Sequence, residues 1–337
     1  MEAQPNILPK MEGVNIRFYQ GTEDHPALIK HSNRVYEHAE IQERETKDNF
    51  DTHYANLRNC NPLEDMILAE TNGEVTATAR VAWSEQAECG DHKYYTMTAT
   101  HPDWQGTPLQ DEMQAWAMAR CHQISAGHPP EAAKFYEEWT AETETAKIAM
   151  LEDLGFQGIR FWFEMFRDLN NPIGNTELPE GLEVRAVKPE DYRPIWEAMD
   201  EAFRDHWGHV DGTEEDFQRF LNKIGKADGY QPGLWMVAWD GNQVAGMVLN
   251  GIFEEENQEL DVKRGWTDPI CVRRPWRKRG LATALINISL AMLKEIGMKE
   301  GALGVDTINP SGALKLYENC GYISHQKTIT YSKPFEI

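Results

Sequence analysis

Five cations crowd one turn of an otherwise acidic chain: Arg273, Arg274, Arg277, Lys278 and Arg279, with Gly280 directly after them. An apolar strand, Ile270-Cys-Val272, leads into the turn. Leu285, Ile288 and Met292 follow at helical spacing. A strand–turn–helix junction of this kind binds anions for physical reasons. The first N–H groups of a helix have no intrahelical partners. The helix dipole adds positive potential there. Gly280 and Ala282 are small enough to let a phosphate approach the backbone. Taken alone, the same residues also fit a solvated basic helix start with an incidental glycine.

A second stretch lies downstream: Asn309-Pro-Ser-Gly-Ala313-Leu-Lys-Leu-Tyr317-Glu-Asn-Cys-Gly321-Tyr322. Tyr317 stands three residues after Leu314, which by itself fits a core aromatic on a helix. Together the two stretches resemble the signatures of the GNAT acetyltransferases. Arg277-x-x-Gly280-x-Ala282 matches that family's R/Q-x-x-G-x-G/A motif, and the Asn309–Tyr322 stretch matches its second signature. The resemblance covers about Glu183 to Lys333. It implies that backbone groups of Arg277, Lys278, Arg279, Gly280, Leu281, Ala282 and Thr283 hold the pyrophosphate of acetyl-CoA, the cosubstrate. Ile270 and Val272 then lie on a strand that splays from its neighbour, so that pantetheine fills the gap much as an added strand would. A backbone N–H there can polarise the thioester carbonyl. Asn309 is expected to contact the cofactor arm or the acceptor. Tyr317 is expected to protonate the departing thiolate.

The general base is where the chain departs from the pattern. An amine must lose a proton to attack a thioester. Several relatives place a Glu on the fourth strand for this purpose, and Trp266 stands at that position here. Asp268, two residues on and facing the same side of the strand, is a candidate base. A water relay or a base from elsewhere fills the role equally well, and Trp266 then forms an apolar wall of the acceptor pocket. Acceptor groups in this fold usually sit near the first helices. Asp205, His206 and His209 are the candidates there.

The chain contains a diverged repeat. Ile67–Val75 and Met236–Val244 each read as a hairpin, around Asn72-Gly73 and Asp240-Gly241. Pro102-Asp-Trp104 parallels Pro275-Trp276, and Leu151 to Phe156 parallels Tyr317 to Tyr322. Three likenesses in the same order predict one α/β fold used twice, each copy a mixed central sheet flanked by helices. The division is expected between a copy at 1–170 and a copy at 181–337, across an Asn/Pro/Gly-rich stretch. This layout is similar to mycothiol-synthase-like tandem acetyltransferases. The first copy lacks the working parts. Aligned on Trp104 and Trp276, Pro108 falls at Gly280 and has no N–H to give, and Leu151 falls at Tyr317. A structural or acceptor-shaping role is expected for it.

Composition sets outer bounds. With 337 residues, 41% hydrophobic, the chain can bury two ordinary cores. A net charge of −22 argues against nucleic-acid binding; it can attract a cationic amine, or serve only solubility. No apolar run is long enough to cross a bilayer. Five scattered cysteines without CxxC spacing read as reduced thiols, with no metal site. The expectation is a cytoplasmic N-acetyltransferase, monomeric or homodimeric, acting on a small-molecule primary amine by direct attack on acetyl-CoA. A CoA-binding sensor or scaffold with little turnover is the alternative.

Overall fold

The computed structural model describes residues 7–86, 90–206, 211–225, 230–308 and 312–335. Its chain forms two compact units, one of residues 1–161 with 328–337 and the other of residues 162–327. The irregular stretch at 170–181 therefore lies inside the second unit.

The first unit opens with β1 (Asn15–Phe18) and the helices α1 (His25–His38), α2 (Lys47–Ala55) and α3 (Pro62–Asp65). β2 (Met66–Thr71) and β3 (Glu74–Glu85) form the hairpin read from the sequence. Asn72 and Gly73 both take positive φ, as a tight hairpin turn of this hand requires. β4 (His92–Thr100), α4 (Pro108–Ser125), β5 (Lys134–Ala141) and α5 (Thr145–Asp153) follow. β1 to β4 pair antiparallel in sequence order, β4 pairs β5 in parallel, and residues 328–334 join this unit's sheet antiparallel to β5. Ile67, Val81, Tyr94, Leu109, Met113 and Leu151 are fully buried between the sheet and its helices.

Strand β6 (Gln157–Asp168) carries the chain into the second unit. That unit contains β7 (Glu183–Val184), α6 (Tyr192–Phe203), α7 (Glu214–Lys223), β8 (Met236–Asp240) and β9 (Gln243–Val248). It continues with α8 (Glu254–Leu260), β10 (Arg264–Trp266), β11 (Ile270–Val272), α9 (Leu281–Glu295), β12 (Glu300–Asp306), α10 (Ala313–Asn319) and the start of β13 (Ile323–Pro334). β7, β8, β9 and β11 form one antiparallel ladder. β10 pairs β12 in parallel, and β12 pairs residues 162–168 of β6 antiparallel. Leu281, Leu285, Leu290 and Leu293 of α9 are buried in one cluster with Leu303, Tyr317 and Tyr322.

The repeat holds at the level of hydrogen bonds. His92 pairs with Lys134 in the first unit as Arg264 pairs with Glu300 in the second. Trp104 N–H donates to His101 as Trp276 N–H donates to Arg273. Gly155 and Gly321 both take a left-handed φ to end α5 and α10, where an L side chain would be strained. Residue equivalences between the units follow from these pairs.

Among the described residues no helix is long and apolar enough to cross a membrane, and Cys60, Cys121, Cys271 and Cys320 are free.

Candidate functional site

The second unit has a gap in its sheet at the chemistry-bearing stretch. β10 and β11 are two steps of one path. The first step pairs with β12, and Thr267 N–H still donates to Ala302 at 2.8 Å. Among the described residues the second step pairs only with β9. Between them Asp268–Pro269 is a cis peptide. Pro269 accepts from Leu249 N–H, and Arg273 N–H donates to Ala245, so these groups face β9. Successive peptide units alternate direction along a strand. The N–H groups of Ile270 and Val272 therefore point the other way, where β12 has parted from the path. That opening can accept an extended ligand as a further strand.

The loop after β11 is shaped by two left-handed residues, Lys278 (φ 60°) and Gly280 (φ 83°). Gly280 caps α9, and a Cβ built on it meets nothing within 4 Å. Glycine is thus required by the backbone turn, and the space above it is open. α9 has no side-chain cap and no acidic residue in its first turn. Its leading N–H groups at Leu281, Ala282 and Thr283 are left for an anion.

The basic cluster divides its work. Arg277 Nε donates to Val272 O at 2.9 Å, one terminal nitrogen reaches Ala202 O at 3.1 Å, and the other meets Asp205 at 2.8 Å. Arg274 pairs with the same Asp205, and Arg273 pairs with Glu201 at 2.6 Å. These three guanidiniums brace the loop against α6 and the strand end. Lys278 and Arg279 remain exposed. An anion at this turn would meet mainly backbone N–H groups, with the exposed Lys278 and Arg279 close by in sequence. Hydrogen bonds from Arg274, then Arg277, hold the Asp205 carboxyl far below the usual carboxylate range. Asp205, expected at the acceptor site, is bound to the loop arginines. His206 lies against Phe203, with ring centroids 4.5 Å apart. His209 and Asn309 fall outside the described residues.

Asp268 sits where β10 gives way to β11. The residue is exposed to solvent, yet protein atoms crowd its carboxyl and restrict its hydration. Restricted hydration pushes its pKa up to about 6, opposed by the N–H of Gly304. Solvent access moderates that shift without reversing its direction. Tyr317, 8% exposed, extends from α10 into the core around α9. Burial first, then the Asp268 charge, pushes its hydroxyl well above the usual phenol range. The same two causes raise Tyr230. Trp266 is half-buried and exchanges both backbone hydrogen bonds with Gly251.

Three features of this region escape a reading of the motifs. Tyr230, far away in sequence, has its hydroxyl pKa raised by burial first and then by the Asp268 charge, and no local signal marks it. Thr267 Oγ1 and Tyr322 Oη lie 2.6 Å apart and pin the strand just before Asp268. Gly304 and Ala313 keep β12 and the start of α10 bare. The repeat itself is the signal that finds them, because bulky polar residues occupy the matching places in the first unit.

Residues 194–322 match the model of the Acetyltransferase (GNAT) family. Mycothiol acetyltransferase of Thermobispora bispora is 26% identical over 196 residues, which covers 58% of this chain and 64% of the relative. Its counterpart from Acidothermus cellulolyticus is 28% identical over 195 residues, 55% of this chain and 58% of the relative. The chain thus spans roughly three fifths of the length of these curated relatives. Among solved structures, a GCN5-related N-acetyltransferase from Sphaerobacter thermophilus superposes with a TM-score of 0.70 at 23% identity, covering 97% of both chains. A tandem GNAT protein from the clavulanic acid biosynthesis pathway gives 0.64 at 12% identity, covering 95% of this chain and 98% of the other. These two likenesses show the fold: α/β, with the GNAT architecture in tandem.

Proposed function

We propose, on the premise that residues 194–322 form a GNAT-family acetyltransferase domain, that this chain transfers an acetyl group from acetyl-CoA to a primary amine of a small molecule. One observation carries the reading: the bare first turn of α9 and the strand-side N–H groups of Ile270 and Val272 belong to one continuous segment, with Asp268 at the upstream edge of the gap. A pyrophosphate suits the first and a thioester arm suits the second. The amine nitrogen attacks the thioester carbon and gives its proton to the Asp268 carboxylate. Charge on the carbonyl oxygen is held by a β11 N–H. As the tetrahedral intermediate collapses the C–S bond breaks, and the Tyr317 hydroxyl gives its proton to the leaving sulfur. Trp266 forms an apolar wall on the acceptor side, where His206 and His209 are further candidates. Asp205 acts through the loop.

The curated relatives' name puts the mycothiol acetyltransferase reaction first in the amine panel. The test is CoA-thiol release from acetyl-CoA across that panel, with calorimetry alongside. Turnover with any amine supports the enzyme. Tight acetyl-CoA binding without turnover on any amine would favour a CoA-binding sensor.

A further inference from the structure

The first unit has the same gap in its sheet, and its own side chains fill it. β4 pairs β5 only from His92 to Tyr95; beyond that the ladder stops. By the shared register, Thr98 occupies the place of Ile270. Its N–H donates to Glu138 Oε1 at 3.2 Å, and its carbonyl accepts from Lys147 Nζ at 2.8 Å. Lys147 also donates to Trp139 O on β5 at 3.1 Å and meets Glu138 at 2.7 Å. Glu138 is 1% exposed and Lys147 9%. The pair is a strut between the two diverging strands, and it uses both backbone groups of Thr98.

The loop seat is filled likewise. Gln105 Nε2 reaches back to Thr100 O at 3.3 Å, as Arg277 reaches Val272. Gly106 takes a left-handed φ of 67°, as Lys278 does at 60°. Gly106 N–H is then taken by the buried Gln110 Oε1 at 2.7 Å. Pro108 stands in place of Gly280. In the second unit the residues matching Gln110, Glu138 and Lys147 are Ala282, Gly304 and Ala313. A Cβ built on Gly304 faces Asp268 Oδ2 at 3.7 Å.

We infer that Gln110, Glu138 and Lys147 are built-in stand-ins for the acyl donor in the first unit, and that they decide which repeat accepts acyl-CoA. A thioester arm entering there would have to displace a buried ion pair from the backbone groups it needs. Separating such a pair without replacing its contacts is strongly unfavourable. This rests on the second unit being the acyl-CoA site.

The experiment compares acetyl-CoA stoichiometry in full-length protein by calorimetry. Wild type should bind one equivalent. P108G/Q110A, which repairs only the loop, should still bind one. P108G/Q110A/E138G/K147A, which installs the second unit's residues throughout, should bind a second, weaker equivalent. A second equivalent in wild type or in the loop variant overturns the inference. So does a folded fourfold variant that binds only one. Hydrogen exchange on wild type with saturating acetyl-CoA reads the same point without a variant that has to fold. Residues 96–100 should show unchanged exchange, and ligand-induced protection there overturns the inference. Residues 270–283 should gain protection. If they do not, the reading of the second unit fails, which is a separate result.

Discussion

Arg277 holds the main-chain oxygen of Val272 at 2.9 Å and so fixes the loop to the end of the strand that precedes it. The motif arginine therefore works as a brace. Its remaining nitrogens are taken by Ala202 O and by Asp205. A brace of this kind presets the direction of the loop N–H groups, and pre-organised donors cost little reorganisation when an anion arrives.

Asp205→Asn tests the brace. Asparagine keeps the shape and removes the charge that both Arg274 and Arg277 share. The dissociation constant for acetyl-CoA should rise, while the ranking of amine acceptors stays the same. Paired titrations of acetyl-CoA and of amines separate the outcomes. A changed amine ranking with unchanged acetyl-CoA affinity would return Asp205 to the acceptor site.

Gly280→Glu should abolish acetyl-CoA binding. The built Cβ points into open space, so the carboxylate would stand in the proposed pyrophosphate site. Gly280→Ala separates charge from backbone strain. At φ 83° an L-residue costs about 1–2 kcal/mol of stability. Alanine should therefore lower the unfolding free energy by about that amount and weaken binding less than glutamate does. Equal loss of binding in the two variants would make the loop's conformation, not its open space, the deciding feature.

Tyr317→Phe should cut single-turnover rates by ~10²–10⁴-fold, the usual range for general acid help. Acetyl-CoA affinity should change little, because only a hydroxyl is lost. Burial keeps that hydroxyl protonated across the working pH range, as a proton donor requires. Wild-type single-turnover rates in the variant would leave Tyr317 as a core aromatic beside Tyr322.

The local motifs made the second unit's loop legible. A strand, a basic turn, a glycine and an apolar helix follow one another in a few residues, so spacing alone places them. The hairpins at Asn72-Gly73 and Asp240-Gly241 were readable for the same reason. Partnerships that bridge the chain were not. Nothing near Asp205 in sequence announces Arg274 or Arg277. Nor does anything near Thr267 announce Tyr322. Long-range strand order was equally hidden: which strand residues 328–334 would join depends on pairing, not on their own pattern. The closed state of the first unit lay in the sequence only as a comparison between repeats. It needed the structural register to show that Glu138 matches Gly304 and Lys147 matches Ala313.

Asp268 predicts a pH dependence with a definite sign. A general base works when deprotonated, so kcat/KM should rise with pH and level off above about 6, the value to which restricted hydration pushes this carboxyl. Below that value the rate should fall about tenfold per pH unit. The Asp268→Asn variant should lose most of its activity and lose this limb of the profile with it. Stability should move the other way. A raised folded-state pKa means that the folded protein binds the proton more tightly than the unfolded chain, whose aspartates titrate near about 3.9. The ionised carboxyl therefore weakens the fold at neutral pH, an effect that disappears once both states are protonated at low pH. Asp268→Asn should accordingly raise the unfolding midpoint slightly at pH 7 and leave it unchanged below about pH 3. The gain is small because solvent reaches the residue. An unchanged pH profile in active Asp268→Asn protein would assign the proton to a water relay or to another group.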